Sequence, residues 1–146
     1  MKKLFFKLSI IAILFSAYSC NSQVTNNKTE SNISTDTISN NTIQVYYFHG
    51  SIRCQTCISV DENTHQYLKE LFPEKFNNNE IIFKSINIDK NERPDLVKKY
   101  QIYGQTLLFI KGDKVIDKTD DAFQYVTTEP EKWKKMVENV IYDLLK

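Results

Sequence analysis

The stretch IQVYYFHGSIRCQTC, Ile43 to Cys57, decides how this chain is read. It opens with Ile43, Val45, Tyr46, Tyr47 and Phe48, broken only by Gln44. Such a nearly unbroken run of β-branched and aromatic residues suits a strand covered on both faces. The strand gives way to His49-Gly50 and then to two cysteines separated by Gln55 and Thr56. Beyond them, Val60, Thr64, Tyr67, Leu68, Leu71 and Phe72 recur at helical spacing, so Ile58 to Phe72 is expected to be a helix, with Pro73 just past its end.

Downstream, IIFKSINI from Ile81 to Ile88 reads as a second strand. Pro94 to Tyr100 suits a short helix, because proline fits a first turn. Leu107 to Ile110, then Lys111-Gly112-Asp113-Lys114, then Val115-Ile116, has the layout of a hairpin. Ala122 to Val126 is expected to be irregular or an edge segment. Glu131 to Leu145 closes the chain as an amphipathic helix carrying Trp133, Val137, Val140, Ile141, Leu144 and Leu145. The order β, α, β, α, β, β, α implies an α/β sandwich, and residues 43–146 are the right length for one domain.

The opening MKKLFFKLSIIAILFSAYSC has a different character. Lys2, Lys3 and Lys7 precede an apolar core from Leu8 to Ala17, which is short against the ~20 residues of a permanent span. Residues 1–19 therefore read as a secretory signal. Ser16-Ala17-Tyr18-Ser19 before Cys20 resembles the lipobox of bacterial lipoproteins, although Ala17 stands where leucine is usual and Tyr18 is bulky. That resemblance implies lipid on the Cys20 sulfur, hence a lipid-anchored protein of the bacterial cell envelope facing the periplasm or exterior. The alternative is an ordinary cleaved signal in which Cys20 is incidental. Residues 20–42, dominated by Asn, Ser and Thr with no aromatic before Ile43, bury too little to offset ordering entropy and read as a flexible tether.

Removing the leader takes three of the nineteen Lys and Arg and none of the eighteen Asp and Glu. Sixteen basic against eighteen acidic residues leave no cationic excess that would point to nucleic acid. It also leaves Cys54 and Cys57 as the only unmodified thiols, in a compartment where disulfides persist.

A strand that ends in Cys-x-x-Cys and opens a helix resembles the thioredoxin family. Ser85-Ile86-Asn87-Ile88-Asp89 and Lys99-Tyr100-Gln101-Ile102-Tyr103-Gly104-Gln105-Thr106-Leu107-Leu108-Phe109 resemble that family's N-I-D strand end and its Y-x-I-x-G-x-P-T-L run. The resemblance covers the whole domain and implies a thioredoxin-like fold, a three-layer α/β/α sandwich around a mixed sheet. It also implies a redox-active Cys54–Cys57 disulfide as the only cofactor. Three positions depart from the family pattern. Gln-Thr replaces Gly-Pro between the cysteines, the strand behind Cys57 offers Tyr47 and Phe48 where a buried carboxylate is usual, and Thr106 falls where that family has a cis-proline. More narrowly, Tyr46, Tyr47, Phe48, His49, Gly50, Arg53, Cys54, Thr56 and Cys57 are similar to small thioredoxin-like proteins of Bacteroides-type bacteria, the ArsF-type nitrophenyl-compound nitroreductase subunits associated with arsenical resistance.

The chemistry follows from the spacing. Only a thiolate attacks disulfides or binds soft metals. Cys54, at or just before a helix N-terminus and beside Arg53, is the expected nucleophile, because unpaired N–H groups and the helix dipole favour its anion. Cys57, one turn on, is the expected resolving thiol. A purely structural bridge is a weak explanation, since the loop it closes is small and the entropic gain grows with loop length. His49 could take a proton from Cys57, or simply end the strand. Arg53 is either a solvated loop charge or an electrostatic aid; His65 is expected at the surface; Tyr46, Tyr47, Tyr100 and Tyr103 are expected to pack. Thr106, lacking the proline ring, could open the site to a third ligand or a bulkier partner. Two cysteines fall short of the four ligands of structural zinc, so no metal site is firm.

Three functions compete: a membrane-tethered thiol–disulfide oxidoreductase, a dithiol module in which Cys54 and Cys57 bind a soft metal or arsenical, and a thioredoxin-shaped interaction protein. The expected partners are exported protein dithiols and disulfides or a membrane electron donor, an arsenical efflux permease under the second reading, and no nucleic acid; a monomer is expected. If Cys20 carries lipid, each buried CH₂ adds about 0.8 kcal/mol of membrane affinity. Cys20→Ala protein should then move from the membrane fraction to the soluble fraction on centrifugation, and unchanged partitioning would argue for another anchor or none.

Overall fold

The computed structural model describes residues 41–146; the leader, Cys20 and nearly all of the expected tether lie outside the described residues. Its organising element is β1 (Ile43–His49), in which every residue except Gln44 is buried. The two-sided burial foreseen from its composition has a simple cause: successive side chains alternate between two cores. Ile43, Val45 and Tyr47 enter one core, and Tyr46 and Phe48 the other.

From β1 the chain passes into α1 (Gln55–Leu71), a short α2 (Pro73–Asn77) and β2 (Ile81–Asn87), then α3 (Pro94–Lys99), β3 (Thr106–Lys111), β4 (Lys114–Asp117), α4 (Thr119–Tyr125) and α5 (Pro130–Leu145). The sheet order is β2-β1-β3-β4. β1 and β2 run parallel, from Ile43 opposite Ile81 to His49 opposite Asn87. β3 runs antiparallel to β1, with Thr106 opposite Phe48, and β4 returns antiparallel to β3. Gly112 takes φ 56° at the hairpin turn, a left-handed conformation that suits glycine.

The larger core joins one face of β1 to Val60 and Leu68 of α1, Ala122 of α4 and Trp133, Val137 and Ile141 of α5. The smaller core joins the opposite face to Ile86, Leu96, Ile102, Leu108 and Ile110, with α3 as its lid. Fully burying a side chain such as Phe109 contributes about 1.5–3 kcal/mol relative to leaving it exposed. A parallel βαβ unit followed by an antiparallel hairpin and a closing helix, with helices on both faces of a mixed sheet, is the thioredoxin-like α/β/α arrangement. Among the described residues, no helix is long and apolar enough to cross a membrane.

Several local expectations are corrected. Helix α1 starts at Gln55, three residues before Ile58, because its first turn is polar and shows no apolar period. Pro73 ends α1 and also starts α2. The segment Ala122 to Val126, expected to be irregular or an edge, lies mostly within α4. Only Ala122 of that helix is buried, so a seven-residue element had no apolar stripe to betray it. Its start is stitched to β3 instead: Leu107 N–H donates to Thr119 Oγ1 (2.9 Å), and Lys118 N–H donates to the Leu107 carbonyl (2.9 Å). His65, expected at the surface, is half-buried, its ring stacked on Phe83 with centroids 4.9 Å apart. Burial, aided by nearby Lys69, lowers its pKa.

Candidate active site

The cysteines sit where β1 hands over to α1. Between them and the strand, the loop from Gly50 to Arg53 is fastened to the end of β2. Ser51 N–H donates to Asp89 Oδ2 (2.7 Å), Asn87 Nδ2 donates to Ser51 Oγ (3.2 Å), and Ile88 N–H donates to the His49 carbonyl (2.9 Å). Asn87 Oδ1 in turn accepts from the Asp89 N–H (3.0 Å). The Asn87-Ile88-Asp89 stretch is thus the clamp that positions the cysteine loop. Gly50 leaves room for this clamp, since a Cβ there would stand 3.2 Å from Asp89 Oδ2 and press on it.

Cys54 is the N-cap of α1, in an extended conformation, and its sulfur accepts a hydrogen bond from the Cys57 N–H at 3.3 Å. The first turn of α1 holds no acidic residue, so no carboxylate competes for the helix N-terminus. Cys54 is exposed and Cys57 buried, both are free, and their sulfurs lie 2.6 Å apart. The hydrogen bond shared with Cys57, then the Cys57 backbone N–H, pull the Cys54 thiol below its ordinary pKa. Burial, followed by the same sulfur–sulfur contact, pushes Cys57 up. One thiol is therefore primed to ionise at the surface while its neighbour holds its proton.

Arg53 is drawn in rather than solvated. Its Nη2 donates to the Cys57 carbonyl (3.1 Å) and to Asp61 Oδ2 (2.7 Å), and its guanidinium stands 5.7 Å from the centre of the Tyr47 ring. Ser85 Oγ donates to the same Asp61 oxygen (2.7 Å). A carboxylate does therefore lie near the pair, supplied by α1 rather than by the strand. The sequence held a signal for it: Asp61 is four residues after Cys57, on the helix side that carries Thr64 and Leu68.

His49 is buried, and its Nδ1–H donates to the Gly50 carbonyl (2.8 Å). Because a carbonyl only accepts, that bond assigns the hydrogen to Nδ1. No hydrogen bond joins His49 to either sulfur; its ring lies instead against Tyr47, 5.8 Å between centroids. Thr106 begins β3, with its hydroxyl donating to the Gly104 carbonyl (3.2 Å). Its neighbour Gln105 reaches the site, Nε2 lying 3.7 Å from Cys57 Sγ. Thr106, the residue singled out from the sequence, and Gln105 are neighbours on this loop. Tyr47, expected only to pack, is fully buried with its hydroxyl beside Cys57. Tyr103, also expected to pack, is 93% exposed, as is Ile52, so the two loops that meet at the cysteines each present a bare apolar side chain. Among the described residues, no cluster of three or more His, Cys, Asp or Glu is placed to hold a metal ion.

No protein-family model and no curated protein matches the chain. Solved structures do. A malarial protein is similar over 54% of this chain and 81% of its own, at 22% identity and a TM-score of 0.41. Thioredoxin from Fasciola hepatica is similar over 53% of this chain and 65% of its own, at 23% identity and a TM-score of 0.38. Human ERp44 is similar over 65% of this chain and 26% of its own, at 17% identity and a TM-score of 0.44. The chain thus spans just under two thirds of that thioredoxin and about a quarter of ERp44. The fold assignment stands on the strand order and connectivity described above.

The opposed shifts of the two thiols give a direct expectation. In reduced protein, iodoacetamide should label Cys54 first, with a pH midpoint below that of free cysteine, because the lowered pKa leaves more thiolate at neutral pH. Cys57 should label later and only as the pH rises above the free-cysteine range. Equal labelling rates, followed by peptide mass mapping across pH, would contradict this ordering.

Proposed function

We propose that this chain is a thiol–disulfide oxidoreductase, tethered at the cell envelope through Cys20, that exchanges electrons with exported proteins. The supporting observation is the asymmetry of the pair: an exposed sulfur at a helix N-terminus with a buried thiol 2.6 Å behind it. The cycle needs no other cofactor. The Cys54 thiolate attacks a sulfur of the substrate disulfide; a Cys54–substrate bond forms and one substrate thiolate departs. Cys57 then gives up its proton and attacks Cys54 Sγ. The Cys54–Cys57 bond forms, the second substrate thiolate leaves and takes up a proton, and the substrate is reduced by two electrons while the protein is oxidised. Run in reverse, the same steps oxidise a substrate dithiol.

Protein substrates suit the surroundings. Ile52 and Tyr103 supply exposed apolar area on the two loops flanking the cysteines, which favours docking of an extended, partly apolar segment. With dithiothreitol as donor, wild-type protein should accelerate insulin reduction, and Cys54→Ser should return the rate to that of buffer. Cys57→Ser should retain Cys54 attack but accumulate mixed disulfides, visible as reducible adducts on gels. Full activity in Cys54→Ser would discard the enzyme reading in favour of an interaction protein.

A second reading rests on the same sulfurs, since two adjacent free thiols, one of them exposed, also suit a trivalent arsenical in keeping with the ArsF-type resemblance. Under it, phenylarsine oxide should bind reduced protein one-to-one and protect both cysteines from alkylation together. Protection of Cys54 alone would remove the chelation reading.

A further inference from the structure

Cys57 is surrounded by more hydrogen-bonding capacity than its resting state uses. Among the described residues, four buried side-chain polar atoms have no hydrogen-bond partner: Tyr47 Oη, Arg53 Nε, Thr64 Oγ1 and Trp133 Nε1. Two of these belong to side chains packed around Cys57. Tyr47 is fully buried with its hydroxyl beside Cys57 but in no well-formed hydrogen bond, its ring lies 5.7 Å from the Arg53 guanidinium, and Arg53 holds the Cys57 carbonyl. A buried donor without an acceptor is destabilising and calls for an explanation. A neutral thiol is a weak acceptor, whereas a thiolate is a strong one.

We propose that Tyr47 is the hydrogen-bond donor that stabilises the Cys57 thiolate formed once Cys54 is bonded to a substrate. This rests on the exchange reading above and names a further residue of that site. In the resting dithiol the phenol faces only a neutral thiol, a weak acceptor. When Cys54 enters a mixed disulfide, its own sulfur no longer shares a proton with Cys57. The Cys57 thiol then releases its proton to water, and the new anion accepts from Tyr47 O–H and from Gln105 Nε2, already 3.7 Å away. The Tyr47 phenol stays protonated throughout, because burial first, then the proximity of Cys57, drives its pKa far above the phenolic range. It therefore acts as a donor and never as the base. The charged and titratable groups facing this centre are Cys54 and Arg53 before α1, Asp61 on α1, and Tyr47 with His49 on β1. Arg53 is the only cation in that set, so it and the phenol share the stabilisation of the anion.

Tyr47→Phe deletes only the hydroxyl. Because that hydroxyl makes no well-formed hydrogen bond in the dithiol form, the variant should melt no earlier than wild type. Reduced protein mixed with dithiobis(nitrobenzoate) releases one thionitrobenzoate when Cys54 attacks and a second when Cys57 closes the Cys54–Cys57 bond. In Tyr47→Phe the second release should slow about tenfold near neutral pH and its midpoint should rise by about one pH unit, the scale of one charge-assisted hydrogen bond. The first release should change far less. A second phase with wild-type rate and midpoint overturns the role of Tyr47 and leaves the exchange reading standing. Wild-type protein that keeps one thionitrobenzoate bound overturns the exchange reading and this inference with it.

Discussion

The hydrogen bond from the Cys57 N–H to the Cys54 sulfur is the contact on which the site depends. It makes a cysteine perform the task usually given to serine, threonine or aspartate at a helix start. A sulfur is a poor acceptor while protonated and a good one as an anion, so the backbone rewards ionisation at that one position. The absence of an acidic side chain in the first turn of α1 keeps the reward undivided. Everything else nearby either holds this geometry or deals with the second sulfur.

Holding it falls to groups remote in sequence. Asp89 and Asn87, at the end of β2, grip Ser51 and so fix the loop that delivers Cys54 to the helix. The parallel register of β1 with β2, His49 opposite Asn87, is what brings these residues together. Arg53 performs a comparable service from the other side, tying the Cys57 carbonyl to Asp61, which Ser85 of β2 also engages. The reactive loop is therefore held on one side by the end of β2, through the sheet register, and on the other by α1 through Arg53.

Much of this was legible in the letters. The doubly buried β1, the order of the four strands with α1, α3 and α5, the hairpin at Gly112 and the placement of Cys54 at a helix start all follow from residue type and spacing. The failures share a cause: the missing signal was not periodic. Helix α4 buries one alanine, and it is located by Thr119 bonding to Leu107, a tertiary contact no local pattern reports. Gln105 stands beside the position where the family resemblance places a proline, and its reach to Cys57 depends on the loop's conformation, which residue type does not report. Tyr47 and Tyr103 have the same chemistry and opposite fates, one fully buried and one bare, since sheet pleat and loop direction decide exposure. Asp61 alone left a readable trace, through its four-residue offset from Cys57.

The direction of β1 has a consequence of its own. The strand enters the domain at Ile43 and delivers the chain to the cysteine loop after seven residues, about 20 Å on at the usual rise of ~3.3 Å per residue. Ile43 itself is pinned at the far end, its N–H bonded to the Glu80 carbonyl. Ile43, with Asn41 and Thr42 before it, therefore lies at the pole opposite the sulfurs. The full length of the strand thus separates its entry point from the reactive tip, so a substitution at the fully buried Ile43 meets the core and leaves the sulfurs a strand's length away.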